Sequence, residues 1–311
     1  MKWRLSLLLI VLAACSASQS STGSGGRVTG EVISVKMLRS FHDASSISLD
    51  QFLNLYVVES STNTVIKLSP NGDSLRSVSG FGADHNQFNG PIDLDARLTN
   101  AILIADNFNH RIEQYTKDLT YVSTLFNRQA SDPMQRFGYP RAVAADDAGN
   151  IYVADGENKR VIKARSDFTI ERTIGGYGEA TRPEAILTNP IDLAVDKDEH
   201  LIVLDNGGTS LVEFDNLGNL LARTAIGATS AAITTSNDTV FALLSSDKTI
   251  RLYRSVGLIE VAQWRIESNA LLDSSPLSGV AVRSGAVYVS TRQGAYACKF
   301  APIALDTLTR Y

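Results

Sequence analysis

From residue 44 onward the chain alternates between short apolar runs and polar punctuation. Ile102-Leu103-Ile104-Ala105, Ile151-Tyr152-Val153-Ala154 and Leu201-Ile202-Val203-Leu204 are typical runs, each followed within a few residues by clusters of Gly, Asn and Asp. Apolar, β-branched stretches this short, bounded by turn formers, predict strands; a helix needs a longer stretch with a 3.6-residue period. Asp147-Ala148-Gly149-Asn150 and Asp215-Asn216-Leu217-Gly218-Asn219 read as hairpin turns.

The pattern repeats with a period of about 47 to 50 residues. Pro91, Pro140 and Pro190 fall in one column, and below them run three ungapped segments that end in Ile102 to Asp106, Ile151 to Asp155 and Leu201 to Asp205. An earlier copy starts at Ala44 and reaches Leu55 to Glu59. Two more degenerate copies place Val240 to Leu243 and Val287 to Ser290 in the same column, which makes six copies in all. Each predicts four strands, in the third copy strand a (Ala142 to Ala145), b (Ile151 to Ala154), c (Val161 to Ala164) and d (near Thr169 to Ile174). A single four-stranded sheet cannot cover both of its faces, so the copies must stack around an axis. The fold expected is all-β, a six-bladed propeller. The sixth copy supplies strand a (Val280 to Arg283), b (Ala286 to Ser290) and c (Ala295 to Phe300) but no clear d. A lone strand-like segment near the N-terminus, Val32 to Phe41, is expected to complete that blade and so remove an exposed edge.

Pro140-Arg141-Ala142-Val143-Ala144-Ala145-Asp146, Gly149-Asn150-Ile151-Tyr152-Val153-Ala154-Asp155 and Asn158-Lys159-Arg160-Val161-Ile162 together resemble an NHL repeat, and Ile104-Ala105-Asp106 with Asn109-His110-Arg111-Ile112 resembles one too. The resemblance extends from about Val28 onward and implies a six-bladed propeller. The family includes peptidyl-hydroxyglycine lyases, whose zinc-binding His adjoins the strand-a Pro. The matching positions here are Ile92, Arg141 and Ile191, a departure that argues against such a lyase.

Two residue sets carry candidate chemistry. Asp106 and Arg111, like Asp155 and Arg160, are separated by a four-residue turn that sets them opposite one another, so they read as structural pairs that lock a hairpin. Glu59 with Thr64 and Asp205 with Ser210 break that pattern. The second set lies where strand a begins, at the mouth of the central channel. Asp93 and Asp192 hold equivalent positions two blades apart, where they either accept hydrogen bonds from neighbouring backbones or share a cation such as Ca²⁺. Arg141 lies between them, placed to pair with either Asp or to bind an anion. Asp93, Arg141 and Asp192 are therefore the candidate ligand-binding residues. His42, His85, His110 and His200 fall at four different repeat positions and read as solvated loop residues, without the convergence that zinc demands.

The chain starts differently. Lys2 and Arg4, an apolar run from Leu5 to Leu12 broken by Ser6, and Leu12-Ala13-Ala14-Cys15 follow the order of a bacterial lipoprotein signal, with a run too short to span a bilayer. The expected organisation is a signal peptide at 1–14, lipidated Cys15 with a flexible Ser/Gly tether at 15–27, and the propeller at 28–311. Localisation then follows as export and lipid anchoring to a bacterial membrane, with Ser16 pointing to the outer one where two are present. Cys298 is left as the only thiol in the body, an apolar packing residue that forms no intramolecular disulfide.

Loss of Lys2 and Arg4 leaves 27 basic against 33 acidic side chains, a net charge near −6 that opposes nucleic-acid binding. The sequence carries no nucleophile–base pair, phosphate-binding Gly loop or metal-ligand spacing. The function expected is a membrane-anchored, non-enzymatic binding or scaffold module for a protein or other extracytoplasmic ligand, with no cofactor. The alternative is a calcium-dependent lyase or lactonase-like hydrolase acting through Asp93 and Asp192.

Overall fold

The computed structural model describes residues 28–126, 128–129, 136–178, 182–244, 248–266 and 275–300. The signal and tether expected over 1–27 lie outside these residues.

Among the described residues, twenty-four strands form six blades. After β1 (Val28–Ser40), the first blade holds β2 (Ala44–Leu49), β3 (Leu55–Glu59), β4 (Thr64–Leu68) and β5 (Ser74–Ser79). The second holds β6 (Pro91–Asp95), β7 (Ala101–Asp106), β8 (Arg111–Thr116) and β9 (Tyr121–Phe126); the third β10 (Pro140–Ala145), β11 (Ile151–Asp155), β12 (Arg160–Ala164) and β13 (Ile170–Ile174). The fourth holds β14 (Asp192–Val195), β15 (Leu201–Asp205), β16 (Ser210–Phe214) and β17 (Leu220–Ala225); the fifth β18 (Ser230–Ser236), β19 (Thr239–Leu244), β20 (Thr249–Arg254) and β21 (Ile259–Arg265). The sixth holds β22 (Leu277–Arg283), β23 (Ala286–Thr291) and β24 (Gly294–Phe300). The inner strands adjoin in cyclic order, β2 with β6, then β10, β14, β18 and β22, and β22 returns to β2.

Every residue of β3, β7, β11 and β15 is buried, because both faces of each sheet meet a neighbouring blade. The apolar core is accordingly divided into six seams, one between each adjacent pair of blades. Leu103, Ala105 and Ile112 of the second blade meet Val143, Ile151 and Val153 of the third, for example. One residue further along, Ala142, Ala144 and Tyr152 face the other way, onto Leu193, Val203 and Val212 of the fourth. The two-residue period of each strand thus feeds two seams at once. Cys298 packs in the seam between the fifth and sixth blades, where burial pushes its thiol up to about 12.

The turns between strands a and b repeat one device. Asp146 accepts the backbone N–H and side-chain amide of Asn150, both at 2.8 Å, and the Tyr152 hydroxyl at 3.2 Å; Asp50 holds Asn54 and Tyr56 in the same way. A short carboxylate that folds back on its own turn fixes the register of the strands on either side.

The N-terminal strand closes the ring as expected. Val32 to Ser40 pairs antiparallel with β24 and supplies the missing outer strand of the sixth blade. It also does more than the sequence suggested. Val28 to Glu31 runs parallel to β21 of the fifth blade, so a continuous eight-stranded sheet joins the last two blades through β1. Beside this junction Trp264 of the fifth blade stacks on Phe300 of the sixth at 4.3 Å between ring centroids.

Candidate binding site at the channel mouth

In a four-stranded meander, strand a and strand c start at one face of the ring and finish at the other. The d-to-a and b-to-c loops therefore gather on the face where strand a begins. Between the inner strands lies a cavity of about 1030 Å³, lined by all six blades. In five blades a bulge falls just after the first residue of strand a, between Ala44 and Ser46, Pro91 and Asp93, Pro140 and Ala142, Ser230 and Ala232, and Leu277 and Gly279. The bulged residue has no partner in the ladder and is turned toward the axis. With Ile191 of the fourth blade, these positions place Ser45, Ile92, Arg141, Ala231 and Ser278 on the cavity wall.

Asp93 and Asp192 follow one residue deeper. Asp93 receives the Ser46 hydroxyl at 2.6 Å from the first blade and the Val143 N–H at 2.8 Å from the third. Asp192 receives the N–H of Leu193 at 2.8 Å and that of Ile233, in the fifth blade, at 2.7 Å. Of the two roles open to this pair, the geometry is that of blade-to-blade acceptors. Burial pushes the Asp93 carboxyl up to about 6, against the pull of its donors, with the charge of Asp95 acting in the same direction. Burial, and then the charge of Asp93, also raise Asp192 well above the usual carboxylate range.

Arg141 pairs with neither Asp. Its stem packs on Gly156, where an added Cβ would lie 2.7 Å from both Arg141 Cγ and the Tyr139 carbonyl oxygen. Its Nε is buried without a hydrogen-bond partner. Ile92 and Ile191 occupy the equivalent wall positions on either side.

The far end of the channel holds a residue that sequence reasoning missed. Arg97 donates from Nε and Nη2 to Asp95 at 3.1–3.2 Å, from Nη1 to the Val195 carbonyl at 3.1 Å and the Thr235 hydroxyl at 3.0 Å, and from Nη2 to the Ala145 carbonyl at 3.4 Å. One guanidinium thus ties together four blades. The available signal was its own position, since Arg97 stands where Asp50, Asp146 and Asp196 form the a-to-b turn in other copies.

The structural pairs form as expected and reach further than their own hairpins. Arg111 Nε donates to Asp106 at 2.8 Å and Arg160 Nε to Asp155 at 3.1 Å, all four side chains being buried. Asp106 also accepts the N–H of Asn89, and Asp155 that of Gly138, in the loops that lead into strand a. Arg111 donates to the carbonyls of Ala83 and Gln87, and Arg160 to that of Arg136. Each pair therefore pins the preceding loop and sets where strand a begins. Where the pattern breaks, other groups take over: Arg223 of β17 reaches Asp205 at 3.0 Å, and His42 meets Glu59 through its backbone N–H and its Nδ1.

The four His lie at four separate places, but not all are solvated loop residues. His85 stacks on Tyr121 and His110 packs edge-on to Tyr139 at 4.2 Å. His200 is largely covered, its Nδ1 3.0 Å from Glu213 Oε1 and 3.6 Å from Asp196 Oδ2. Burial raises Glu213, with the charge of His200 opposing. Among the described residues no group of three or more His, Cys, Asp or Glu side chains is arranged to hold a metal ion.

The NHL repeat matches residues 137–163, from the loop before β10 through nearly all of β12. Comparison with curated proteins finds no match. Among solved structures, a gluconolactonase from Xanthomonas campestris superposes with a TM-score of 0.63 at 12% identity, covering 86% of this chain and 89% of that one. Virginiamycin B lyase from Staphylococcus aureus gives 0.59 at 10% identity over 87% of this chain and 99% of that one, and the WD40 repeats of RRP9 give 0.59 at 11% over 83% and 80%. At such identities the likeness is one of fold alone. The chain is a six-bladed β-propeller that carries an NHL repeat in its third blade.

Proposed function

We propose that the protein is a non-enzymatic binding module, held at a bacterial membrane by lipidated Cys15, whose extracytoplasmic partner docks at the channel mouth on Arg141. The observation that carries this reading is the state of Arg141. A guanidinium flanked by apolar wall positions, its Nε buried and unpaired, has a deficit that a ligand anion would relieve. The neighbouring carboxylates are engaged with backbone N–H groups of other blades, which leaves them a structural task. The wall positions level with Arg141 are Ser, Ile or Ala, residues that offer no general base.

Anchoring is supported by Leu12-Ala13-Ala14-Cys15 and by the Ser- and Gly-rich stretch after it. A flexible chain over 16–27 has a root-mean-square reach of about 20 Å, enough to lift the ring clear of the lipid headgroups. A lipoprotein Cys carries several acyl chains, which is what stable attachment needs. The test has two arms. Cys15→Ser should release the protein from the membrane fraction and abolish palmitate labelling. Arg141→Ala should abolish cross-linking to partners captured on intact membranes, with the melting temperature within a few degrees of wild type. Unchanged cross-linking by the Arg141 variant would remove the channel mouth from consideration.

A further inference from the structure

Large aromatic side chains are exposed in an arc of loops on the channel-mouth face, running from the first blade to the third. Phe81, in the loop between β5 and β6, is 74% exposed; Phe108, between β7 and β8, 59%; Tyr139, just before β10, 41%; and Tyr177, after β13, 91%. All four stand on d-to-a or b-to-c loops, which the meander delivers to the face where strand a begins. Phe52 is the one other large aromatic exposed to this degree among the described residues, and it lies on an a-to-b turn at the opposite face.

The arc is built in detail. Phe108 and Tyr139 meet edge to face at 6.4 Å, and the Tyr139 N–H donates to His110 Nδ1 at 2.9 Å. A Cβ at Gly90 would fall 2.5 Å from the Phe108 ring, so glycine there lets the ring lie down on the loop. Tyr139 has a φ of +49°, a left-handed conformation that a bulky residue rarely adopts. Gly90, at the same place one blade earlier, takes +63° with no such strain. Tyr139 thus stands at the entry to β10, two residues before Arg141, whose Nε has no partner.

We infer that this arc and Arg141 together form the docking surface for an acidic, apolar peptide segment of a protein partner. The inference rests on the channel-mouth reading given above. The partner's carboxylate would sit on Arg141, and its apolar side chains between the rings. Arg128, beside the Tyr139 ring, is already engaged by Glu157 at 3.7 Å, whereas Arg141 Nε is buried with no partner. Asp93 and Asp192, one residue deeper, have their carboxylate oxygens engaged by donors of the protein and offer an anion nothing to bind. Two of the four rings are Phe, which have no hydroxyl to offer a sugar, and Ile92 and Ile191 flank the guanidinium. Such a surface suits a carboxylate set among apolar side chains, and aromatic residues with Arg are the usual anchors of protein interfaces.

A random peptide library displayed on phage and selected on the purified mature chain tests this. Enriched peptides should place Asp or Glu beside aromatic or aliphatic residues. Exchange of that acid for its amide should weaken binding at least tenfold, as should Arg141→Ala and Phe108→Ala. Tyr139→Gly should also weaken binding while its melting temperature stays equal or rises, since glycine accepts the φ that tyrosine resists; loss of binding there cannot come from unfolding. Peptides that need Arg141 but ignore both ring variants would overturn the arc and leave the channel mouth standing. Peptides indifferent to Arg141 would overturn both. Failure to enrich any acidic peptide, or capture of glycans in their place on an array, would overturn the peptide assignment.

Discussion

The Asp93 carboxylate of the second blade accepts the backbone N–H of Val143 in the third at 2.8 Å, and Asp192 repeats the contact two blades on by accepting the N–H of Ile233 at 2.7 Å. An inner strand has an unpaired edge toward the axis, and a donor there would otherwise point into the channel. A side chain from the preceding blade satisfies it and at the same time fixes the spacing between blades.

This contact has a pH signature. Asp93 is pushed up to about 6 in the folded chain from an ordinary value near 4, so between those values the folded chain holds more protons than the unfolded one. Stability therefore falls as pH rises from about 4 to 6 and levels off above, with an upper bound of about 3 kcal/mol from this group. Asp192 moves in the same direction. Asp93→Asn keeps an acceptor for Val143 and does not titrate, so its melting temperature should fall less than that of wild type across this window. Parallel curves for the two proteins would mean that Asp93 does not titrate there.

Ring closure by β1 predicts a sharp contrast between two truncations. Deletion of 28–40 exposes the edge of β24 and also strips β21 of its parallel partner, and should cause aggregation or a fall in melting temperature of at least ten degrees. Deletion of 16–26 should leave the melting temperature within about two degrees. Thermal melts of the two proteins check this, and equal stability would refute closure.

The loop-pinning ion pairs should be costly to break from the basic side. Arg160→Ala leaves the fully buried Asp155 carboxylate without its cation, at a cost of about 3 kcal/mol or more. In the fourth blade Arg223 does the same work for Asp205 from an outer strand. Arg223→Ala should therefore destabilise by about 1–3 kcal/mol. Ser210→Arg, which rebuilds the arrangement of the second and third blades, should recover part of that loss in denaturant titrations.

Metal dependence separates a binding module from a calcium enzyme. The four carboxylate oxygens of Asp93 and Asp192 each accept a hydrogen bond, three of them from backbone N–H groups and one from Ser46. Added calcium or EDTA should accordingly leave the melting temperature unchanged, and purified protein should contain no stoichiometric zinc. A large shift with EDTA that vanishes in Asp93→Asn and Asp192→Asn would establish the calcium alternative.

His200 offers a substitution read directly from the repeat. It stands where Asn54 and Asn150 donate a side-chain amide to their turn Asp, yet its ring faces the buried Glu213 as well as Asp196. His200→Asn should restore the amide contact to Asp196 and take the ring away from Glu213 Oε1, leaving that buried carboxylate only the Gly257 N–H. The variant should then be less stable than wild type, as thermal melts of the two proteins would show.

The sequence by itself determined the strands, their grouping in six copies, the closing role of the N-terminal segment and the Asp–Arg pairs. All of these are short-range or repeated, so each copy reports the same backbone environment and a two-residue period reads out both seams. The positions of Asp93, Arg141 and Asp192 on the channel wall were legible for the same reason, since one register places them all. Only the tertiary structure decided what those side chains touch. Arg97 bonds to groups up to 138 residues away, Arg223 replaces an absent arginine from a different strand, and β1 runs beside a strand more than 200 residues later. Such contacts depend on the curvature of the closed ring and the reach of long side chains across it, and no local pattern encodes either. The conformation of Tyr139 belongs with them: the residue type is plain in the sequence, but its positive φ arises in a loop pinned by Asp155, against the extended backbone that the following Pro favours.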